Sequence, residues 1–571
     1  MLTIHLLILS VLFLHLHGLA AEVCTITMSH EEYRDRCEAI WTAQMVGHFF
    51  AVDPFEHHQA AVKWVDDFSD EIKEKIRKNG GLGYVDDDWY YEIANLRALQ
   101  KYGPDLTLEE LGRQWVENNV GVWGSSGLAR KNLLKGIPAE WVGHPKYNRV
   151  WFTMGAMNRC DLYGMLLPGL PNTAAALSRR LGHINSYAEG TDGGVLMAGM
   201  IAMAFYEKDP RTVLKKAVDL LDPKAPHRQC LELVIQMAEA GHTAAECTDA
   251  VMNRFSPIYP ATNGAVQNFG MIAAALWFGS GDFLKTLNVA IQGADYTDAD
   301  CNAACAVVVL AAMHGSKIIP DYLVKQFSGR TKGEYVGSVK LTPPVDISTC
   351  ELAEQTVDMG VQMIKFWSNG MVDKQTIRIP VETKIATQTL ELFDPNDFVK
   401  YWNPDWTLIG AGYGTPGGGY RGIRGGTFYD ADDDVLATYP ANEIRNCYLK
   451  RQVKLDADPV LELEVGADPG HAWTLEIYVD NEELPESEQV IDGGEALEWR
   501  NADGSLPWFL PHYFPSPQDD YERSRAVRKY KTIRADLSKW AGENVIIRLY
   551  MAPIVWNHYS GNAYWKKVTV D

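Results

Sequence analysis

Clustered positive charge is missing from this sequence. Lysines and arginines number 53 against 74 aspartates and glutamates, so the formal net charge at pH 7 is −21. Proteins that bind nucleic acid or an anionic membrane surface group lysines and arginines together, because phosphate is held largely by charge. The composition therefore argues against nucleic acid as a partner and is compatible with neutral sugars and metal cations.

Paired cysteine spacings are missing as well. The nine cysteines are scattered along 571 residues, with neither the close pairs of a zinc site nor the density of a disulfide-stapled domain. A chain of this length is too long for one ordinary core, so two or three domains are expected. A hydrophobic fraction of 46% indicates that these domains are well packed.

Apolar runs of membrane-spanning length are not seen after the amino terminus. The run Leu6–Leu14, followed by the small residues Gly18, Ala20 and Ala21, predicts a signal peptide over residues 1–21. A membrane anchor is the alternative, but the run is shorter than the ~20 residues of a span. No lysine or arginine precedes the run, which is atypical of a signal peptide. We expect a secreted or periplasmic protein without membrane contact after cleavage.

The hydrophobic pattern changes once along the chain, between Val372 and Asp405. Before the change, apolar residues recur at helical spacing, and Ala303–Ala312 is apolar on every side, as in a buried helix. After it, short alternating runs such as Val460–Val465 predict strands. The predicted architecture is an all-α helical domain over residues 23–375, a linker over 376–400 and an all-β sandwich over 401–571.

Two groups of aspartates precede apolar helices. They are Asp86, Asp87 and Asp88 in one place and Asp298 and Asp300 in the other. Either group alone is better explained by helix capping or a solvated acidic face. However, buried carboxylates need partners, and hard divalent cations such as Mg²⁺, Mn²⁺ or Ca²⁺ take several carboxylate oxygens as ligands. We therefore expect the five aspartates to close around one or two cations.

Four motifs follow one another along the first two thirds of the chain. They are Trp41–Ala51 followed by Pro54-Phe55-Glu56; Asp86-Asp87-Asp88; Gly182-His183-Ile184-Asn185 with Glu189-Gly190; and Asp298-Ala299-Asp300-Cys301-Asn302-Ala303-Ala304. In this order they resemble the ADP-ribosylglycohydrolase family, and the similarity spans most of residues 30 to 370. The segment from Met154 to Gly169 looks like the extracytoplasmic bacterial branch of that family.

The resemblance implies a helical catalytic domain that hydrolyses a glycosidic bond with a metal-activated water. In the family, one or two Mg²⁺ or Mn²⁺ ions hold the ribose hydroxyls and that water, and nearby carboxylates stabilise the developing positive charge. A histidine such as His183 is more often structural than substrate-binding. The implied roles are metal binding by Asp86, Asp87, Asp88, Asp298 and Asp300, catalysis by Glu56 and Asp88, and substrate binding by His183, Glu189 and Asn302.

Several departures from the family pattern fall at this site. The family's threonines are missing: Asp86 or Val85 stands before the acidic pair, Trp89 follows it, and Cys301 replaces the threonine after Asp-x-Asp. Gly47-His48 stands where the family has Gly-Asp. Sulfur is a poor ligand for a hard cation. We therefore expect the substrate to be a different glycoside, such as an extracellular glycan. Hydrolysis of ADP-ribosyl-arginine and a non-catalytic carbohydrate-binding or structural protein are the alternatives.

Aromatic residues are concentrated near the carboxyl terminus. Flat aromatic rings suit sugars, although such residues are more often the core of a sandwich. The segment Ala535–Gly542 resembles the last strands of galactose-binding-like jelly rolls, so the β domain is a candidate for carbohydrate binding. Asp430 and Asp432–Asp434 predict either a Ca²⁺ site or a solvated acidic loop. The aromatic residues are Trp540, Trp556, Tyr559, Tyr564 and Trp565.

Overall fold

The computed structural model describes most of the chain in ten segments. Glu56, the predicted signal peptide, Trp556 and Tyr559 lie outside the described residues, so the predictions about them stay predictions. The described segments are residues 24–52, 84–256, 258–259, 262–293, 297–327, 329–412, 426–441, 446–495, 524–554 and 561–570.

Helices dominate the first part of the chain, which confirms the predicted fold class there. Side-chain caps begin several of them: Ser29 accepts from the amide of Glu32, and Thr107 forms a capping box with Glu110. The α-helices up to the sandwich are α1 His30–Ala51, α2 Asp87–Tyr102, α3 Leu108–Asn118, α4 Gly124–Leu134, α5 Ala139–Val142, α6 Asp161–Leu166, α7 Pro171–Gly182, α8 Glu189–Ala204, α9 Pro210–Ala217, α10 Pro226–Glu239, α11 Ala244–Phe255, α12 Ala265–Gly279, α13 Phe283–Ile291, α14 Ala299–His314, α15 Asp321–Gln326, α16 Thr349–Trp367 and α17 Pro395–Trp402.

Helices α1 and α14 cross at the centre of the helical domain. Every residue of α14 from Ala299 to Met313 is buried, because small and apolar side chains surround this helix on all sides. Gly47 of α1 lies against it so closely that a Cβ atom there would come within 2.7 Å of the Ala304 backbone. This close crossing brings His48 next to the amino-terminal end of α14.

One described helix has the length and composition of a membrane span, although no apolar run of that length is expected from the sequence after the amino terminus. Residues Ala299–Ile318 have a mean hydropathy of 1.4 over an 18-residue window, and 78% of that window is buried inside the protein. A helix buried to this degree is a core helix by its packing. Its hydropathy therefore reflects the interior of the helical domain.

Short strands are inserted in the helical part and in the predicted linker. β1 (Thr25–Ser29) pairs antiparallel with β5 (Thr376–Pro380), which joins the start of the domain to its end, and β4 (Met371–Val372) pairs with β5. β2 (Arg330–Val336) and β3 (Val339–Ser348) form a hairpin. The connection between the two domains is therefore partly held by sheet pairing.

Two antiparallel sheets form the carboxyl-terminal domain, which confirms the predicted sandwich. Residues alternate between buried and more exposed positions, as along Ala472–Val479, and the rings of Trp473 and Trp565, one from each sheet, lie 5.3 Å apart. One sheet has β14 (Tyr530–Asp536), β10 (Val460–Ala467), β16 (Ala563–Val570), β8 (Val435–Thr438) and β7 (Phe428–Asp430); the other has β12 (Glu482–Glu483), β11 (Ala472–Val479), β15 (Asn544–Pro553), β9 (Cys447–Lys454) and β6 (Thr407–Ile409), with β13 (Gln489–Asp492) on β11.

The described aromatic residues singled out in this domain belong to its core. Trp540 is 9% exposed, Tyr564 is fully buried and Trp565 is 1% exposed. Such burial removes their faces from contact with a sugar. These three residues therefore pack in the core of the sandwich, which is the more common role of aromatic residues in such a domain.

The acidic loop at Asp430–Asp434 is held by basic side chains. Arg525 lies 3.2 Å from Asp432, 3.6 Å from Asp430 and 3.6 Å from Asp433. Lys135, which directly follows α4, also contacts Asp432, at 2.5 Å. Three of the four carboxylates thus face a basic side chain, and Asp434 accepts from the hydroxyl of Tyr429 at 2.9 Å. The lysine contact links this loop to the helical domain.

Candidate metal centre

A cleft of about 260 Å³ opens at the point where the starts of α2 and α14 meet. Its walls include His48 from α1, the amino-terminal end of α4 and residues Met154, Asn158 and Asn263. We call Asp86, Asp87, Asp88, Asp298 and Asp300 the five aspartates. Four of them line the cleft (Asp86, Asp87, Asp298 and Asp300), and Asp88 lies behind His48, 3% exposed.

Helix capping explains the position of Asp86 but not that of Asp298. Asp86 has an extended backbone and its Oδ1 accepts from the amide of Asp88 at 3.2 Å, so it is the N-cap of α2. Asp298 stands at the corresponding place before α14 and makes no side-chain cap hydrogen bond. Both groups still benefit from the positive end of a helix dipole, which offsets part of their mutual repulsion.

His48 joins the two groups of aspartates. Its Nδ1 lies 3.1 Å from Oδ2 of Asp88, 3.3 Å from Oδ2 of Asp300 and 3.8 Å from Oδ1 of Asp86. Its Nε2 is 2.6 Å from the hydroxyl of Tyr84. A histidine of α1 thus contacts carboxylates from both α2 and α14.

The pKa values of Asp87, Asp88 and His48 at this site are raised, so each of these groups holds a proton more tightly than usual. Burial raises the pKa of Asp87 well above its usual value, and the neighbouring Asp86 and Asp88 raise it further. Burial also raises the pKa of Asp88 to about 7, although His48 opposes the rise. Burial alone would lower the pKa of His48, but Asp86 and its other neighbours raise it well above the usual value. The carboxylates therefore favour a proton or a metal ion in their midst.

The donor spacing fits a divalent cation. In three groups the candidate ligand atoms lie within 4.8 Å of one another: His48 with Asp88 and Asp300, Asp298 with Asp300 and Cys301, and Asp86 with Asp87 and Asp88. Adjacent ligands of a six-coordinate ion with bonds of about 2.1 Å are separated by about 3 Å. The separations of His48 Nδ1 from Asp88 and Asp300 match that geometry.

A second layer of side chains holds Asp88 in place. The Nδ2 of Asn158 lies 3.3 Å from Oδ1 of Asp88 and 2.9 Å from Sγ of Cys301, and the thiol of Cys301 donates to the same Oδ1 at 3.0 Å. Burial raises the pKa of this thiol well above its usual value, and nearby Asp298 and Asp300 add to the effect. Cys301 is therefore a neutral thiol in the absence of a cation.

None of the three predicted substrate-binding residues is among the described residues that line the cleft. His183 is 3.1 Å from Oε2 of Glu391 and stacks on Tyr187, while Glu189 is buried and accepts from the hydroxyl of Tyr259 at 3.0 Å. Asn302 lies in the first turn of α14: its amide donates to the carbonyl of Asp298 at 2.9 Å, and its Nδ2 donates to Asn268, which also accepts from the amide of Asp298. The structure thus places Asn302 beside the aspartates of α14 and gives His183 and Glu189 other partners. The role of all three in substrate binding stays a prediction.

Several cleft residues were not singled out from the sequence. No sequence pattern points to Asn158, and His48 stands out only as a departure from the family pattern. For Trp123-Gly124-Ser125-Ser126 a signal does exist, since Gly and Ser at the start of a helix often mark a place where a ligand approaches the backbone. Trp123 is 41% exposed at the edge of this segment.

The fold and this site define a helical protein with an acidic cleft lined by candidate cation ligands. A family model described as ADP-ribosylglycohydrolase matches residues 29–342, more than half of the chain, and the chain belongs to that family. A solved structure titled ADP-ribosylglycohydrolase-related protein complex is 14% identical, with a TM-score of 0.37; the match covers 58% of this chain and 99% of that one. No curated protein matches the chain.

Membership confirms the resemblance seen in the sequence. The family is metal-dependent, acts on ADP-ribosylated substrates and supports an assignment of this chain as a hydrolase of glycosidic bonds. The helical domain that holds the five aspartates is the part matched by the family model.

Proposed function

We propose that this protein is an extracytoplasmic hydrolase that cleaves a glycosidic bond with the help of one or two divalent cations, Mg²⁺ or Mn²⁺, held by the five aspartates. The observation that carries the proposal is the convergence of carboxylates from two helix starts in one cleft. Repulsion among buried carboxylates is costly, and a bound cation offsets that cost. Family membership supports the reaction class.

The proposed reaction needs a cation, groups that transfer a proton, and hydrogen bonds to the substrate. A divalent cation, when bound, supplies Lewis acidity and lowers the pKa of a water molecule. Without a cation, burial raises the pKa of Asp88 to about 7; a bound cation would lower this pKa and keep the carboxylate charged. Asp88 remains the second proposed catalytic carboxylate. Ser125, Thr153 and Asn263 offer hydrogen bonds to sugar hydroxyls. Glu56 remains the proposed proton-transfer group.

The substrate we propose is a glycoside or glycan outside the cytoplasm, with ADP-ribosyl conjugates as the alternative. The predicted signal peptide and the departures at Trp89, His48 and Cys301 support this choice, since all three residues stand at or next to the aspartates. Trp123 offers an exposed ring at the cleft on which a sugar ring or a base can stack. Carbohydrate binding by the sandwich domain remains part of the proposal.

Turnover by variants tests the proposal. Released sugar is measured from a panel of glycosides and from ADP-ribosylated arginine, with Mg²⁺ and with Mn²⁺. We expect Asp87→Asn and Asp300→Asn to lower turnover by at least about a hundredfold, because each removes a carboxylate proposed to hold the cation. Asp321→Asn, at the exposed start of α15, is the matched control and should match wild type. Full activity in both cleft variants would contradict the proposal.

A non-catalytic protein is the second candidate, and one observation favours it. Nδ1 of His48 lies within 3.3 Å of both Asp88 and Asp300, so a protonated imidazole can itself neutralise these carboxylates. This candidate predicts no turnover on any substrate of the panel and no change in thermal stability when divalent cations are added.

A further inference from the structure

We infer that His48 is a direct ligand of the cation and that it shifts the preference of the site from Mg²⁺ toward first-row transition metals. The inference rests on the proposed function, because it concerns the same cation. His48 stands where the family pattern has an aspartate, so the inferred preference belongs to this chain and not to the family in general.

The position of the imidazole is the first argument. Nδ1 stands 3.1 Å from Oδ2 of Asp88 and 3.3 Å from Oδ2 of Asp300, and all three atoms belong to one group able to surround an ion. These separations are those of neighbouring ligands on an ion with bonds of about 2.1 Å. An ion between the two carboxylates would therefore meet Nδ1 as well.

The fixed orientation of the ring is the second argument. Nε2 is tied to the Tyr84 hydroxyl at 2.6 Å, which leaves Nδ1 facing the carboxylates. The rings of Phe49 and Trp89 stand edge-on to the imidazole at 5.3 Å and 5.2 Å, and the side chain is 1% exposed. Hydrogen bonding of the far nitrogen is how proteins orient metal-binding histidines. His48 has no room to turn away from an incoming cation.

The chemistry of the donors is the third argument. Mg²⁺ prefers oxygen ligands and keeps several waters, whereas imidazole suits later first-row metals such as Fe²⁺, Co²⁺ and Zn²⁺. Cys301 adds a second softer donor, since its Sγ lies 3.0 Å from Oδ1 of Asp88 and it forms a group with Asp298 and Asp300. A site that offers nitrogen and sulfur ligands beside carboxylates therefore favours metals of intermediate hardness, such as Fe²⁺, Co²⁺ and Zn²⁺, over Mg²⁺.

Metal competition on the full-length, metal-stripped protein tests this inference. Co²⁺ is titrated while its visible absorption is recorded, and Mg²⁺ is then added as competitor. Wild type should bind Co²⁺ at least about a hundredfold more tightly than Mg²⁺, because affinity for a nitrogen-containing site rises along the first-row series. The absorption spectrum should show a nitrogen-containing coordination sphere.

Two substitutions of His48 test whether this side chain causes the preference for Co²⁺ over Mg²⁺. His48→Asp and His48→Asn both place oxygen near the position of Nδ1, and each should weaken Co²⁺ binding by at least about tenfold and narrow the gap to Mg²⁺. His242→Asp, at an exposed histidine, is the matched control and should bind as wild type does. Circular dichroism verifies that each variant is folded.

The outcomes separate this inference from the proposed function. Binding of Mg²⁺ as tight as that of Co²⁺ in wild type, or a Co²⁺ affinity and spectrum unchanged in both His48 variants, would overturn the inference and leave the proposed function standing. Absence of binding of any divalent cation to wild type would overturn both.

Discussion

The pKa values of two glutamates, the buried Glu189 of α8 and the partly buried Glu391 that follows the helical domain, are shifted in opposite directions by their surroundings. Burial raises the pKa of Glu189 to about 8, which outweighs its hydrogen bond from Tyr259. Burial acts in the same direction on Glu391, but His183 and Arg179 lie within 3.3 Å of its carboxylate and lower its pKa. Glu189 is therefore neutral near pH 7, while Glu391 is charged.

The raised pKa of Glu189 predicts a pH-dependent stability. The folded state holds this proton more tightly than the unfolded state, so the stabilisation is complete below the ordinary glutamate pKa and is lost as the pH rises to about 8. Glu189→Gln should remove this loss, and wild type should lose a few kcal/mol relative to the variant between about pH 5 and about pH 8. Urea unfolding at several pH values measures the difference.

An exposed glutamate controls for the change of side chain. Glu334→Gln on β2 should follow the wild-type pH profile, because its side chain is exposed. Parallel curves for wild type and Glu189→Gln over the whole range would show that Glu189 is charged in the folded protein at neutral pH.

At the scale of residues, the sequence predicted the five aspartates but not their surroundings. Runs of aspartate before apolar helices are visible in the sequence, because they are local. The contact of His48 with Asp300 depends on how α1 crosses α14, and that of Asn158 with Cys301 joins residues far apart in the chain. Such contacts have no local signal.

Among the secondary-structure elements, the crossing of α1 and α14 matters most for the site. Gly47 permits it, since a Cβ atom at this position would lie 2.7 Å from the backbone of Ala304. Backbone atoms cannot move aside as a flexible side chain can. The adjacent His48 depends on the same approach for its contact with Asp300.

Gly47→Ala should therefore destabilise the protein by about 1–3 kcal/mol, as overpacking of a core does, and should weaken cation binding. Denaturant unfolding and metal titration measure the two effects. Gly182→Ala is the control, because the atoms nearest to its Cβ would be side-chain atoms of Ala156 and Thr191, at 3.3 Å, and not backbone atoms. Equal and small effects of both substitutions would show that the crossing tolerates a methyl group.

At the scale of elements, periodicity predicted the buried helices and the strands of the sandwich. The hairpin of β2 and β3 was missed because it is a short interruption of a helical pattern. The pairing of β1 with β5 was also missed, because it joins segments more than 300 residues apart in sequence.

Three helices of the protein's core meet at carboxylates that repel one another. The five aspartates come from the starts of α2 and α14, and His48 comes from α1, so a cation in the cleft would connect three helices of the core. A ligand that binds only the folded state stabilises it according to its concentration relative to Kd. Cation binding is thus expected to stabilise the fold as well as to enable turnover.

The most direct test of this account is calorimetric titration of Mg²⁺ and Mn²⁺ into the metal-stripped full-length protein, with wild type, Asp300→Asn and the control Asp321→Asn compared. The account predicts binding to wild type and the control and its loss in Asp300→Asn, since Asp300 belongs to two of the three groups of candidate ligands. Failure of wild type to bind either cation, or unchanged binding by Asp300→Asn, would contradict the account.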